Sequence, residues 1–297
     1  MNLPTIFTFW EPRERMLPYL RLCLRTWERY LPQNKIVIAD YSNIEDFIGK
    51  GTYDLELLKT LPLHIQKDAW MAAILNRQGG IFMDADTILG GDISWILDFL
   101  ENSEIVLFGT HLGFMAAKPG AKILEIWEEG VRRRLAELQG PAPLKDQWDY
   151  VGNSLVTEAM IELSRGFPLC GTFDRIWQSR KSYHSADKGF WQKVANQRRW
   201  LITLPSYRKY MRMLSPREYG FIAEGRYFGR RYSTRERYDR FWFDTELEVG
   251  EVFRAKRGIV GLHNSWTPDW YRELSEEEVL NHPSLLSRTL RSLVSEK

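Results

Sequence analysis

One stretch of nine residues, Gly79-Gly80-Ile81-Phe82-Met83-Asp84-Ala85-Asp86-Thr87, constrains this chain more than any other. The segment before it, 65–78, carries Ala69, Ala72, Ala73 and Leu75, all good helix formers, and Gly79 is a natural C-terminal stop. Three apolar side chains then demand burial, and two carboxylates follow with one residue between them. A helix, a Gly-Gly turn and a buried strand ending in acid describe an α/β layout. In such sheets ligands bind beyond the carboxyl ends of the strands.

Residues two apart on a strand share a face, so Asp84 and Asp86 are expected to point together at a fraying strand end and divide two tasks. Asp86 is the leading ligand for a divalent cation. Asp84 is a second ligand or the contact to a ribose or sugar hydroxyl, directly or through metal-bound water. Carboxylate oxygens suit Mg2+ or Mn2+, which keep several waters and share substrate phosphates rather than filling a closed protein cage. A metal-chelated diphosphate is the expected ligand. The competing reading is turn chemistry, in which aspartates merely satisfy nearby backbone N–H groups.

With 297 residues the chain can bury a sizeable core, and its 13% aromatic content excludes disorder as the default. No apolar run approaches the length of a bilayer span. The first ten residues lack the basic start and apolar centre of a signal peptide, so the expected location is cytoplasmic, possible contact with the inner face of the membrane included. The two cysteines, Cys23 and Cys170, stand far apart and outside any C-x-x-C spacing, against a disulfide framework or a zinc site.

Further strands are expected at 6–10, 36–40, 105–109, 114–117, 200–204 and 259–262. Helices are expected after Pro18, with Leu20, Leu24, Trp27 and Leu31 on one face, at 93–101, 121–137 and 154–163, and from Ser284 onward. The first strand, helix and second strand form a β-α-β unit, whose connection should be right-handed. Charge is uneven: 175–240 holds 17 Lys and Arg against 5 Asp and Glu, a net of +12, while the rest carries −10 within the total of +2. The same stretch is rich in aromatics such as Trp177, Trp191, Tyr210 and Tyr227. It reads as a surface for an anionic partner, with an anionic membrane face ahead of nucleic acid, or as a solvated basic face with its rings packed inward.

These residues together resemble family 32 glycosyltransferases, the group of capsular polysaccharide synthesis and D-x-D sugar-binding transferases. The resemblance rests on the apolar opening strand ending in Trp10, on Trp27, on 36–40, and on the helical Asp68 running into the D-x-D block. A later Gly152-Asn153-Ser154-Leu155-Val156-Thr157 element and Leu262-His263-Asn264-Ser265-Trp266 complete it. Where the family commonly carries Arg three residues after the helical Asp, this chain has Met71.

The resemblance implies a GT-A-type nucleotide-binding sandwich with a mostly parallel central sheet. It spans 1–270 as one catalytic domain, with a nucleotide-sugar half at 1–125, an acceptor half at 126–270 containing a basic aromatic insert near 166–250, and a helical tail at 271–297. It also implies transfer of a hexose, with retention, from a nucleoside-diphosphate sugar to a saccharide or lipid-linked acceptor in surface polysaccharide synthesis, with Mn2+ or Mg2+ as cofactor.

Donor-binding candidates are Phe9, Trp10, Asp68, Asp84, Asn264, Ser265 and Trp266, and His263 joins Asp84 and Asp86 as a possible metal ligand. No nucleophile or base is singled out. Two rivals compete. A haloacid-dehalogenase-type phosphohydrolase also opens on Asp-x-Asp, but its Thr normally lies two residues further on, whereas Thr87 is adjacent. A non-enzymatic carbohydrate- or nucleic-acid-binding protein would use the basic segment and leave the acids structural.

Overall fold

The computed structural model describes residues 3–108, 111–138, 149–165, 175, 198, 201, 204–215, 218–221, 235–253 and 258–295. In chain order the elements are β1 (Ile6–Phe9), α1 (Pro18–Tyr30), β2 (Ile36–Ala39), α2 (Ile44–Ile48), α3 (Leu55–Lys59), α4 (Leu63–Gln78), β3 (Gly80–Met83) and β4 (Thr87–Leu89). Then come α5 (Trp95–Asn102), β5 (Ile105–Phe108), β6 (His111–Ala117), α6 (Lys122–Glu137), α7 (Asn153–Ser164), α8 (Pro205–Arg208), β7 (Met211–Met213) and β8 (Gly220–Phe221). The last are α9 (Arg235–Trp242), β9 (Ile259–Gly261), α10 (Asp269–Arg272), α11 (Glu276–Asn281) and α12 (Leu285–Val294).

The fold is mixed α/β, as expected. Six strands form a mostly parallel sheet in the order β2-β1-β3-β6-β5-β7, flanked by helices, and three form a second sheet, β4-β9-β8. The elements fall within a residue or two of the sequence expectation where both are described, except that the strand expected at 114–117 begins three residues earlier, at His111. The expected strand at 200–204 lies mostly outside the described residues, and Leu201 is helical. Most of the basic aromatic stretch, and Cys170, also lie outside them. Among the described residues no helix is long and apolar enough to cross a membrane.

The chain divides into two compact units, Met1–Ile38 with Met83–Trp95 and Leu214–Lys297, and Ala39–Phe82 with Ile96–Met213. In the first, α1 starts on Pro18, whose fixed φ and missing N–H suit a first helical position. It buries Tyr19, Leu20, Leu22, Cys23, Leu24, Thr26 and Trp27. Two of these do more than pack. The Trp27 indole N–H donates to the Thr87 carbonyl at 2.7 Å, and the Thr26 hydroxyl accepts from the Leu89 N–H at 2.9 Å. Strand β4 pairs with β9 through Thr87↔Gly261, Ile88↔Val260 and Leu89↔Ile259, so α1 side chains serve backbone groups that this ladder leaves over. Near the C-terminus, α11 opens with a capping box in which Ser275 and Glu278 satisfy each other's backbone N–H groups.

In the second unit α4 is buried on nearly every side, from Ile65 through Leu75, as befits a helix surrounded by other elements. It ends at Gly79, whose φ of +63° most side chains avoid. A Cβ there would sit 2.6 Å from Pro119 Cδ and 2.9 Å from the Ala117 carbonyl oxygen. Glycine is therefore required twice over. Strand β5 pairs antiparallel with β6 and parallel with β7. Its four side chains are all buried, each worth about 1.5–3 kcal/mol of apolar transfer for residues of this size.

Candidate active site at the acid turn

Asp84 and Asp86 lie between β3 and β4 rather than on a strand. The chain ends β3 at Met83, turns, and the Thr87 N–H returns to the Asp84 carbonyl at 3.0 Å. The period-two expectation for their direction therefore does not apply: the carboxylates belong to a tight turn, and their surroundings come from elsewhere in the chain.

Those surroundings follow from the β4–β9 register. With Thr87 opposite Gly261, the ladder runs on one step beyond the strands, where the Leu262 N–H donates to the Asp86 carbonyl at 3.0 Å. The chain leaving β9 then passes beside Asp86. The Asn264 N–H donates to Asp86 Oδ2 at 2.6 Å, across 178 residues of sequence. Asp86 is 8% exposed and Asp84 half-buried. A buried carboxylate requires such a donor.

His263 and Ser265 flank Asn264 on the same loop. The Ser265 hydroxyl and His263 Nδ1 are 2.8 Å apart, and the imidazole stacks on the Trp266 ring with centroids 4.4 Å apart and planes 3° from parallel. Burial lowers the imidazole pKa to about 4 against the opposing pull of Asp84. His263 is therefore neutral near pH 7, the state in which a ring nitrogen ligates a metal or forms a hydrogen bond to a phosphate oxygen.

The structure also gathers residues that the sequence reading missed. The Tyr19 hydroxyl donates to Asn264 Oδ1 at 2.5 Å, and the Tyr238 and Thr267 hydroxyls are 2.9 Å apart. Tyr219 is fully buried against Gly261: a Cβ on that glycine would lie 2.2 Å from the Tyr219 hydroxyl oxygen. Burial, then the charges of Asp84 and Asp86, push the Tyr219 phenol well above its ordinary range. Burial is likewise the main cause of the raised pKa of Tyr19 and of Tyr238, and Asp86 adds to both. All three stay protonated, as neutral hydroxyls beside an acid. No local signal in the sequence marks them, because each is an aromatic at an ordinary core position.

Among the described residues no three His, Cys, Asp or Glu side chains gather as a metal cage. Asp84, Asp86 and His263 thus do not make a closed site. Two carboxylates at a turn do fit the open arrangement that Mg2+ and Mn2+ adopt with substrate phosphates, so the donor set suits the expected ion.

The other candidates are placed as follows. Phe9 is 3% exposed, a core residue, and Trp10 follows it half-buried just past β1. Asp68, in the second unit, is 8% exposed on α4, with Lys67 Nζ at 2.9 Å from one carboxylate oxygen. Its other oxygen lies where a Cβ on Gly152 would come within 2.3 Å. The helical Asp and the Gly152 element, 84 residues apart in the numbering, are therefore neighbours. Met71 is fully buried.

No family model matches the chain, and no curated protein matches it. Among solved structures the chain is similar to one titled PaToxG Glycosyltransferase, with 12% identity, 67% of this chain and 87% of that chain covered, and a TM-score of 0.36.

Proposed function

We propose that this chain is a divalent-cation-dependent glycosyltransferase of the family 32 kind. It would transfer a hexose with retention from a nucleoside-diphosphate sugar, a uridine diphosphate sugar first, to a saccharide or lipid-linked acceptor in bacterial surface polysaccharide assembly. The observation that carries this reading is the acid turn: Asp86 fixed by the Asn264 N–H, with half-buried Asp84 and a neutral His263 at the same place.

In this reading Asp86 and Asp84 would hold the cation, with His263 as a hydrogen-bond partner of the diphosphate. When bound, such an ion supplies Lewis-acid stabilisation of the charge that gathers on the leaving diphosphate. The chain's own part is to hold its acids in one geometry before the donor arrives, so that no reorganisation is needed as charge develops. Trp10, and the Trp266 face opposite the stacked His263 ring, would receive the base or sugar.

Incubation with a panel of nucleotide sugars and Mn2+, without acceptor, tests the proposal through slow release of nucleotide. At least one donor should be cleaved, and Asp86→Asn should slow that release by roughly 100-fold or more, a usual cost for losing a metal ligand or its close support. If no donor is cleaved or bound, and Asp86→Ala alters stability alone, the transferase reading falls. Binding that ignores nucleotide sugars and weakens steeply with salt would favour a non-enzymatic nucleic-acid binder instead.

A further inference from the structure

Asn264 is tied at both ends. Its backbone N–H donates to Asp86 Oδ2 at 2.6 Å, and its side-chain Oδ1 accepts from the Tyr19 hydroxyl at 2.5 Å. Tyr19 sits on α1, 245 residues away in sequence, and is fully buried. The loop that carries Asn264 is held at further points from the same side. Tyr19 also lies 3.5 Å from Thr267 Oγ1, Tyr238 lies 2.9 Å from the same oxygen, and the His263 backbone forms a hydrogen bond with the Tyr238 hydroxyl. Thr267 and Tyr238 are fully buried as well. Above them the loop closes on itself, with the Trp266 N–H on the His263 carbonyl at 2.8 Å and the Thr267 N–H on the Asn264 carbonyl at 3.1 Å.

Three hydroxyls in a fully buried layer add nothing to packing that phenylalanine and valine would not also give, and each costs desolvation unless bonded. What they add is direction. We infer that Tyr19, backed by Thr267 and Tyr238, is a positioning residue for the acid turn: it anchors the Asn264 side chain and thereby keeps the Asn264 N–H on Asp86.

The inference deepens the transferase reading above and rests on it for the role of Asp86, though not for the tether itself. Without the Tyr19 hydroxyl, Asn264 keeps its peptide group but loses the anchor that orients it. The Asn264 N–H then no longer holds Asp86 Oδ2 in one direction. Partners that orient a metal ligand in this indirect way typically change metal affinity by about 10- to 100-fold.

The test uses the full chain and four variants, Tyr19→Phe, Asn264→Ala, the double variant and Tyr271→Phe. The last removes a buried hydroxyl of the same kind, paired with Ser287 at 2.9 Å rather than with the loop. Mn2+ affinity is read by electron paramagnetic resonance of the free ion, with and without uridine diphosphate. Exchange of the Asn264 amide is read by NMR with no metal present. Tyr19→Phe should weaken Mn2+ binding roughly tenfold and speed Asn264 exchange, while Tyr271→Phe does neither. The double variant should bind Mn2+ no more weakly than Asn264→Ala alone, because Tyr19 acts through Asn264.

Unchanged Asn264 exchange in Tyr19→Phe overturns the inference, as does a loss of Mn2+ affinity of equal size in the Asn264→Ala background. Should Tyr19→Phe not fold, Tyr238→Phe reads the same quantities with the same expected direction, and unchanged exchange there overturns the inference equally. If the wild-type chain binds no Mn2+ in either condition, the transferase reading fails while the exchange measurement still decides the tether.

Discussion

Gly261 is where one missing side chain shapes the surroundings of the acids. The Tyr219 ring fills the space a Cβ would take, 2.2 Å from the hydroxyl oxygen and 3.0 Å from Cζ, and a fully buried ring has nowhere to retreat. Gly261→Ala should therefore destabilise by about 1–3 kcal/mol, the usual range for overpacking, as read by urea unfolding. Adding Tyr219→Phe removes the atom in closest conflict and should recover part of that loss; strict additivity of the two changes would rule out this account. At this scale the sequence announces Asp84 and Asp86, because their spacing is local, but hides Tyr19, Tyr219, Tyr238 and Thr267. A buried tyrosine and a buried phenylalanine occupy the same kind of pattern position, and only the long-range partner distinguishes them. Asn264 illustrates the same limit. As a donor-binding candidate it is legible from its place in a polar triplet, while its service to Asp86 is written in the β4–β9 register.

Among elements, the helix-stop-strand passage from α4 through Gly79 to β3 is legible, since helix formers, a glycine with positive φ and an apolar run each act over a few residues. Gly79→Ala should lower stability by about 2–4 kcal/mol, combining an unfavourable backbone region with a contact against Pro119 and Ala117 that cannot relax. Thermal or urea unfolding checks this, and a loss under 1 kcal/mol would show that the turn rearranges. Strand β4 was not legible. It has three residues, Thr87–Leu89, too few for a periodic signal, and it exists because β9 pairs one edge while Trp27 and Thr26 of α1 serve its backbone. Trp27 reads in sequence as one more apolar position on a helical face. Its indole N–H is what makes it specific.

Across the molecule, acid should loosen the fold earlier than carboxylate chemistry alone dictates. His64 and His263 each titrate near pH 4 when folded, chiefly through burial, with Lys67 adding to the effect at His64 and Asp84 opposing it at His263; burial lowers His282 as well. The unfolded chain takes up protons near pH 6.5 that the folded one refuses. Stability then rises with pH over this window, so it is lost progressively as pH falls from about 6.5 to about 4, below which this contribution is constant. Urea midpoints at pH 7.5, 6, 5 and 4.5 measure the slope. Replacing His64 and His263 by Gln should flatten it, and an unchanged slope would remove these imidazoles as its source.

The register that seats Asn264 on Asp86 also dictates when the acid turn can become whole. Its partners sit 178 and 245 positions apart along the chain, separations whose closure costs entropy before any contact repays it. During synthesis both carboxylates emerge early, and the Asn264 N–H can reach Asp86 only once the segment past Gly261 has left the ribosome. Premature termination between Thr87 and that point would yield a polypeptide that keeps its D-x-D yet lacks the Asn264 N–H that seats Asp86.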